Sequence, residues 1–215
     1  MGKIEAVLFD VDGVLVDSKL ANFEWLSRVM SEYGYPEPKL EDYLPVFGAS
    51  RRGTIKHLTN VDSEDELEKM MDFAKSKEGE YPTGMARLYK DETETLAKLS
   101  RVYKLGIVTN GSRISVRRFF EKADVEEYFN TVVTSEDVTR IKPDPEPLLA
   151  AASKLGVNPK NAVYVGDLDV DVMAGHAAGM KVIIFSKQSV EGADASVTEF
   201  KEIPKELTKL EAALF

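Results

Sequence analysis

The chain has 215 residues, with 28 lysines and arginines against 37 aspartates and glutamates, which gives a formal net charge of −9. It contains no cysteine, and this excludes a disulfide framework, a thiolate metal site and a cysteine nucleophile. An acidic chain attracts neither phosphate backbones nor anionic lipid surfaces, so we expect no nucleic-acid partner and no membrane partner.

The apolar runs of the sequence are short. None approaches the roughly 20 residues that a membrane helix requires, and the first residues lack the charged and then apolar pattern of a secretory leader. The hydrophobic fraction of 43% is ordinary for a globular protein, and a chain of this length can bury a core of its own. We therefore expect a cytoplasmic protein.

The first predicted element is a buried strand, Ile4–Phe9, which ends in the turn sequence Asp10-Val11-Asp12-Gly13. The segment after it is helical in pattern, because apolar residues recur at spacings of three and four, and Ser18 is the predicted N-cap of its first helix. Helices are predicted in this segment at residues 18–33, 51–58 and 65–78. Nothing between residues 18 and 82 has the pattern of a strand.

Beyond residue 82, short apolar strands alternate with helices. The strands are predicted at residues 105–108, 131–134, 162–165 and 181–185, with a weaker candidate at 193–197. The helices are predicted at residues 91–99, 112–122, 144–155 and 204–214, with Asp91, Ser112 and Asp144 as N-caps. This alternation predicts an α/β protein whose parallel sheet is covered on both faces. We expect residues 1–17 and 83–215 to form the sheet domain, with residues 18–82 inserted into it as a helical segment.

Polar side chains follow four of the predicted strands. They are Asp10 and Asp12 after the first, Thr109 and Asn110 after the second, Lys142 in the loop after the third, and Asp167 with Asp171 after the fourth. Taken alone, each segment is typical of a turn. Ligands of open α/β sheets bind at the carboxyl ends of the strands, however, so these side chains are expected to meet there. Clustered aspartates offer the hard oxygen ligands that Mg²⁺ prefers, and without a cation they would repel one another.

Four segments together resemble the motifs of the haloacid dehalogenase-like superfamily. They are Asp10-Val11-Asp12-Gly13-Val14-Leu15, Val108-Thr109-Asn110, Lys142-Pro143-Asp144-Pro145, and Val165-Gly166-Asp167 with Asp171. The chain is most similar to the capped phosphatases that include phosphoglycolate phosphatase and β-phosphoglucomutase, although Val14 stands where many members have Thr. The resemblance implies a Rossmann-like three-layer parallel-sheet core and a small α-helical cap.

The resemblance also implies a role for each motif residue. Asp10 is the expected nucleophile, which forms an aspartyl-phosphate, and Asp12 is the expected general acid and base. The Thr109 hydroxyl, the Asn110 backbone N–H and the Lys142 ammonium are expected to hold the transferring phosphate oxygens. The expected cofactor is Mg²⁺, bound by Asp10, Asp167 and the backbone carbonyl of Asp12. Asp171 either binds this ion or orients its waters.

The implied activity is hydrolysis of a small phosphorylated metabolite, such as a phosphoglycolate-like or sugar-phosphate-like monoester. The cap loop around Arg51 resembles a substrate-contacting loop, which makes Arg51 the candidate for substrate selection, although Arg51 at the start of a helix could equally be solvated. A phosphosugar mutase of the β-phosphoglucomutase type is an alternative with the same catalytic groups. A protein that senses a phosphometabolite without turnover is a second alternative, but a sensor has no need of both Asp10 and Asp12.

Overall fold

A single parallel sheet lies at the centre of this computed structural model, which describes residues 3–213. The strands of the described chain are β1 Ala6–Phe9, β2 Lys104–Val108, β3 Phe129–Val133, β4 Ala162–Gly166, β5 Lys181–Phe185 and β6 Ala195–Val197. Their order across the sheet is β3-β2-β1-β4-β5-β6, and all neighbouring pairs are parallel. The predicted Rossmann-like α/β fold is confirmed.

The helices of the described chain are α1 Lys19–Tyr33, α2 Leu40–Tyr43, α3 Arg51–Thr59, α4 Glu64–Ser76, α5 Glu92–Leu99, α6 Arg113–Ala123, α7 Glu146–Leu155, α8 Asp169–Ala177 and α9 Ile203–Ala212. The last residue of the predicted C-terminal helix, residue 214, lies outside the described residues. Within the part of the chain that the structure describes, no helix has the length and apolar character needed to cross a bilayer.

Contacts divide the described residues into two units. The core unit consists of residues 3–16 and 88–213 and holds the whole sheet, and the helical unit, Asp17–Arg87, holds α1 to α4. The Asp17 N–H donates to the Arg87 carbonyl at 2.8 Å, and the Arg87 N–H donates to the Asp17 carbonyl at 3.1 Å. This pairing joins the two ends of the helical unit. The sequence-based boundaries at residues 18 and 82, and the role of a cap, stay predictions.

Both faces of the sheet are covered, as the short apolar strands require. Leu8 of β1 packs in a buried cluster with Leu148 and Ala151 of α7. The next residue, Phe9, contacts the rings of Phe129 and Phe200, at centroid distances of 6.4 and 6.0 Å. Successive strand residues point to opposite faces, so β1 is buried from both sides. Each such side chain contributes about 1.5–3 kcal/mol to folding.

Three of the predicted N-caps, those of α1, α5 and α6, stand at the N-cap positions, but none of their side chains makes a capping hydrogen bond. Ser18 precedes α1 with φ −109° and ψ −2°, and its hydroxyl makes no capping bond because this backbone is already helical. Asp91 precedes α5 with φ 61°, a left-handed conformation from which its carboxylate does not cap the helix. Ser112 precedes α6, but its hydroxyl makes no capping bond either. At α7 the N-cap is Pro145, one residue beyond the predicted Asp144, but the Asp144 carboxylate still accepts the N–H of Glu146, the first residue of the helix, at 2.9 Å.

Candidate active site

The candidate site lies at the carboxyl ends of three adjacent strands, β2, β1 and β4. Thr109, Asp10 and Asp167 directly follow these strands. The sheet hydrogen bonding extends to the site, because the Asp10 N–H donates to the Val165 carbonyl at 2.9 Å. The central strand thus delivers Asp10 between the groups that its two neighbours supply.

The Lys142 ammonium lies at the buried centre of the site. It donates to Asp10 Oδ2 at 2.9 Å, to Asp171 Oδ1 at 2.8 Å and to the Tyr164 hydroxyl at 2.6 Å. An ammonium has three N–H donors, and these contacts use all of them. Burial lowers the pKa of Lys142, but attraction to Asp10 and Asp171 outweighs burial and holds the pKa above its ordinary value. Lys142 therefore stays charged inside the protein.

The Asp10 carboxyl is buried, and burial is the main reason that its pKa is raised to about 6. The positive charge of Lys142 lowers this pKa, while the negative charge of Asp171 raises it. Asp10 Oδ1 also accepts the N–H of Val11 at 2.7 Å, which fixes the orientation of the carboxylate. Asp10 is therefore a buried carboxylate whose charge is balanced chiefly by one lysine.

Asp171 is fully buried, and both of its oxygens accept hydrogen bonds. Oδ1 accepts from Lys142, and Oδ2 accepts the backbone N–H groups of Asp167 and Leu168, at 3.0 and 3.1 Å. The first turn of α8 and the end of β4 are thereby tied together. A Cβ on Gly166 would lie 2.5 Å from the carboxyl carbon of Asp171, so this approach requires a glycine at position 166.

Asn110 reaches the site through its side chain as well as its backbone. The Lys142 N–H donates to Asn110 Oδ1 at 2.9 Å, and Asn110 Nδ2 donates to the Lys142 carbonyl at 3.1 Å. This reciprocal pair joins the end of β2 to the loop that carries Lys142. The sequence predicted a role for the backbone N–H of Asn110 and missed this role of its amide.

Thr109 and Asp12 both face Gly111. The buried Thr109 Oγ1 accepts the Gly111 N–H at 3.0 Å. A Cβ on Gly111 would lie 3.2 Å from Thr109 Oγ1 and 3.4 Å from Asp12 Oδ2. The half-buried Asp12 carboxylate therefore lies beside the turn that follows β2.

Tyr164 is a site residue that the sequence reasoning missed. Its hydroxyl donates to the Val108 carbonyl at 3.1 Å, lies 3.2 Å from Asp171 Oδ1, and accepts from Lys142. Burial is the first cause of a pKa held well above its ordinary value, so Tyr164 keeps its proton. The available signal was a tyrosine in an otherwise apolar buried strand, because a buried phenol requires a polar partner.

Three carboxylates could hold a metal ion. Asp10, Asp167 and Asp171 each offer an oxygen, and these oxygens lie within 4.8 Å of one another. Gly13 adopts φ 88°, and a Cβ there would lie 2.2 Å from Asp167 Oδ2, so the loop after β1 closes tightly over Asp167. Hard oxygen ligands in this number fit Mg²⁺ or a similar cation. The Asp12 side chain does not belong to this group of described residues, and a contribution from its backbone carbonyl stays a prediction.

Arg51 lies in the helical unit, where its guanidinium already has two partners. It forms an ion pair with Glu78 at 2.5 Å and stacks over the Trp25 ring at 4.7 Å from the centroid. The side chain retains 24% exposure. These contacts connect the start of α3 to α1 and to the segment that follows α4.

Comparison with known proteins yields one family and several relatives. The family model described as haloacid dehalogenase-like hydrolase matches residues 7–185. The pyrophosphatase PpaX of Bacillus velezensis is 35% identical over 180 residues, which cover 83% of this chain and 82% of that protein.

Solved structures share the fold. A predicted phosphoglycolate phosphatase from Haemophilus somnus superposes with a TM-score of 0.86 at 23% identity, covering 96% of this chain and 99% of that chain. The β-phosphoglucomutase of Clostridium difficile superposes with a TM-score of 0.79 at 20% identity, covering 96% of this chain and 98% of that chain. These are the two enzymes named by the resemblance in the sequence.

Proposed function

Because the chain belongs to the haloacid dehalogenase-like hydrolase family and is a phosphatase of that family, we propose that it hydrolyses small phosphate monoesters with Mg²⁺ through an aspartyl-phosphate on Asp10. The observation that carries this proposal is the buried Asp10 carboxylate paired with the Lys142 ammonium at 2.9 Å, next to Asp167. We also propose that the protein acts in the cytoplasm on a phosphorylated metabolite.

In the first half-reaction an oxygen of Asp10 attacks phosphorus, and the bond between phosphorus and the ester oxygen breaks. Asp12 gives its proton to the leaving oxygen, so the alcohol departs neutral. In the second half-reaction Asp12 takes a proton from water, which attacks the same phosphorus. The phosphorus–Asp10 bond breaks, and inorganic phosphate leaves. Asp10 and Asp12 thereby return to their starting protonation states.

Three groups are suited to hold the transferring oxygens. The Thr109 hydroxyl and the Asn110 backbone follow β2, and Lys142 supplies local positive charge within a chain of net charge −9. All three Lys142 donors are engaged, so it binds a phosphate oxygen by exchanging its Asp10 contact, while Asp171 and Tyr164 keep the other two. The Asn110 amide holds the Lys142 backbone during this exchange.

The metal site is proposed to consist of the side chains of Asp10 and Asp167 and the Asp12 carbonyl. A bound Mg²⁺ supplies positive charge that offsets the repulsion between these carboxylates and the phosphoryl oxygens. Both Asp171 oxygens already accept hydrogen bonds, which favours a role in holding Asp167 and in orienting water over direct ligation.

The substrate is the part of the proposal that depends on relatives. We propose the helical unit as the cap that selects it, with Arg51 as the candidate contact. Monoesters of the phosphoglycolate and sugar-phosphate type are the first candidates. The curated relatives at 31–35% identity are named pyrophosphatases, and this observation makes inorganic pyrophosphate a second candidate.

The test is release of phosphate, with and without Mg²⁺, from p-nitrophenyl phosphate, phosphoglycolate, hexose phosphates and pyrophosphate. Turnover that requires Mg²⁺ and disappears in Asp10→Asn supports the proposal. A wild-type protein that releases no phosphate from any of these compounds would rule it out. Isomerised sugar phosphate in place of free phosphate would identify a mutase, and preference for pyrophosphate would select the second candidate.

A further inference from the structure

The segment that returns from the helical unit contacts the turn that carries Asp12. Tyr89 lies two residues beyond Arg87, the last residue of the helical unit, and belongs to the core unit. Its hydroxyl donates to the Gly13 carbonyl at 3.0 Å, across 76 positions of sequence. Gly13 is the residue that follows Asp12 and closes over Asp167. A side-chain hydrogen bond therefore reaches the peptide group that joins Gly13 to Val14, one residue beyond Asp12.

Tyr89 is itself held in place from two sides. Its ring packs edge-on against Phe185, at a centroid distance of 4.6 Å and an interplanar angle of 81°. Its N–H donates to Glu92 Oε2 at 3.0 Å. Glu92 is 1% exposed, and its other carboxyl oxygen has no hydrogen-bond partner among residues 3–213. A buried carboxyl group engaged mainly with Tyr89 is expensive to bury, which points to a specific role for that contact.

The rings behind Tyr89 lead back to the strand that carries Asp10. Phe185 packs against Phe200 at 5.7 Å, and Phe200 stacks on Phe9 at 6.0 Å. Phe9 immediately precedes Asp10. The segment from Asp10 to Asp12 is thus anchored on one side by the Phe9 ring and on the other by the bond from Tyr89 to Gly13.

We propose that Tyr89 is a positioning residue for the phosphatase reaction, because its hydroxyl fixes the Gly13 peptide and thereby the placement of Asp12 and the clearance around Asp167. Glu92 supports this function by holding the Tyr89 backbone. The inference rests on the proposed function. Tyr89 itself touches no reacting atom, so its removal changes the alignment of groups that act during turnover more than it changes substrate affinity.

The test compares Tyr89→Phe with Tyr103→Phe, using p-nitrophenyl phosphate and Mg²⁺. Tyr89→Phe removes the hydroxyl and keeps the ring against Phe185. Tyr103 precedes β2 at the opposite, amino end of the strands and serves as the matched control. We expect kcat to fall about three- to tenfold in Tyr89→Phe, as for a lost hydrogen bond, with KM within about twofold. Tyr103→Phe should retain the wild-type values.

The result that overturns the inference is an active wild type whose kcat is unchanged in Tyr89→Phe. A wild type without turnover would instead defeat the proposed function itself, so the two failures are distinguishable. If Tyr89→Phe does not fold, Glu92→Leu and Glu92→Gln take its place. Glutamine keeps an acceptor for the Tyr89 N–H and leucine does not, so kcat should be lower in Glu92→Leu. Equal kcat in these two variants would also overturn the inference.

Discussion

At the scale of single residues, Lys142 shows how hydrogen-bond partners orient a buried ammonium group toward a neighbouring carboxylate. Its three N–H donors reach Asp10, Asp171 and Tyr164. A lysine side chain is flexible and binds as a point charge, so its direction must come from its partners. Asp171 and Tyr164 take two donors and leave the third for Asp10. Tyr164 therefore aims the ammonium without contributing a charge.

Tyr164→Phe should lower kcat about three- to tenfold, because Lys142 loses one of the two partners that direct it. A hydrogen bond contributes about 0.5–1.5 kcal/mol, and about 1.4 kcal/mol corresponds to a factor of ten in rate. The measurement is steady-state turnover of p-nitrophenyl phosphate with Mg²⁺. Tyr128→Phe, in the turn before β3, provides a control without contact to the site. A kcat within twofold of wild type for Tyr164→Phe would contradict this role.

At the scale of elements, the sequence predicted the strands well. It missed the short helix α2 and the backbone conformation at the start of α5. The strand Lys181–Phe185 has the predicted bounds because a short β-branched run between polar residues is a local signal. Helix α2, Leu40–Tyr43, was missed because four residues are too few to show a helical period. Asp91 is the N-cap that residue type predicted, but residue type does not specify its left-handed backbone, in which the carboxylate makes no capping bond.

In the candidate site, too, some residues have a local sequence signal and others do not. Asp10, Thr109 and Asp167 follow strands directly, so parallel topology alone predicts that they meet. Tyr164 lies inside a strand, and its sequence context is typical of a core residue. Tyr164 contacts Lys142 only because the loop after β3 brings Lys142 next to β4. No local sequence pattern predicts that these two side chains lie close together.

The titration of Glu92, the first residue of helix α5, should make the free energy of unfolding depend on pH. Burial is the main cause that raises the pKa of Glu92 from 4.5 to about 8, and the hydrogen bond from Tyr89 lowers it. The folded state therefore binds more protons than the unfolded state between these values. The free energy of unfolding falls as pH rises from about 4.5 to about 8, by on the order of 5 kcal/mol at most.

Glu92→Gln removes this titration. We expect the variant to lose less stability than the wild type between pH 5 and pH 8, and to be the more stable protein at pH 8. Urea denaturation at pH 5, 6.5 and 8 measures the difference. Glu94→Gln, on the exposed side of the same helical turn, is the control and should follow the wild-type curve closely. Parallel curves for wild type and Glu92→Gln would contradict a raised pKa at this position.

The contacts of Arg51 predict a structural cost that is separate from any loss of substrate selection. Arg51→Ala removes the stacking on Trp25 and the ion pair with Glu78, and should destabilise the protein by about 1–2 kcal/mol. Arg52→Ala breaks exposed ion pairs with Glu64 and Glu68 and should cost less than about 1 kcal/mol. Thermal unfolding measures both.

Kinetics then assign the function of Arg51. A KM that rises at least fivefold for one phosphorylated substrate and not for p-nitrophenyl phosphate would support substrate selection. Unchanged KM values across the substrates, together with lower stability, would identify Arg51 as a structural residue of the helical unit. A variant as stable as the wild type would contradict the structural contribution.

At the scale of the whole molecule, stability and metal binding should be linked. Asp10, Asp167 and Asp171 lie together, while Lys142 is the cation in contact with Asp10 and Asp171. The folded protein therefore gathers more negative charge than this lysine balances. A cation that binds the folded and not the unfolded state stabilises the former by about 2.7 kcal/mol at a hundred times its Kd. For a chain of this size each kcal/mol raises Tm by about 2–4 °C.

Adding Mg²⁺ should therefore raise Tm by roughly 5–10 °C, and EDTA should reverse the rise and abolish turnover while leaving the fold intact. Asp167→Asn should lose most of the rise, because it removes a carboxylate from the ligand group. Asp169→Asn is the matched control, since Asp169 is exposed two residues further along and should keep the full rise. NaCl at equal ionic strength separates binding from screening. An equal rise in Asp167→Asn, or with NaCl alone, would contradict a Mg²⁺ site at Asp167.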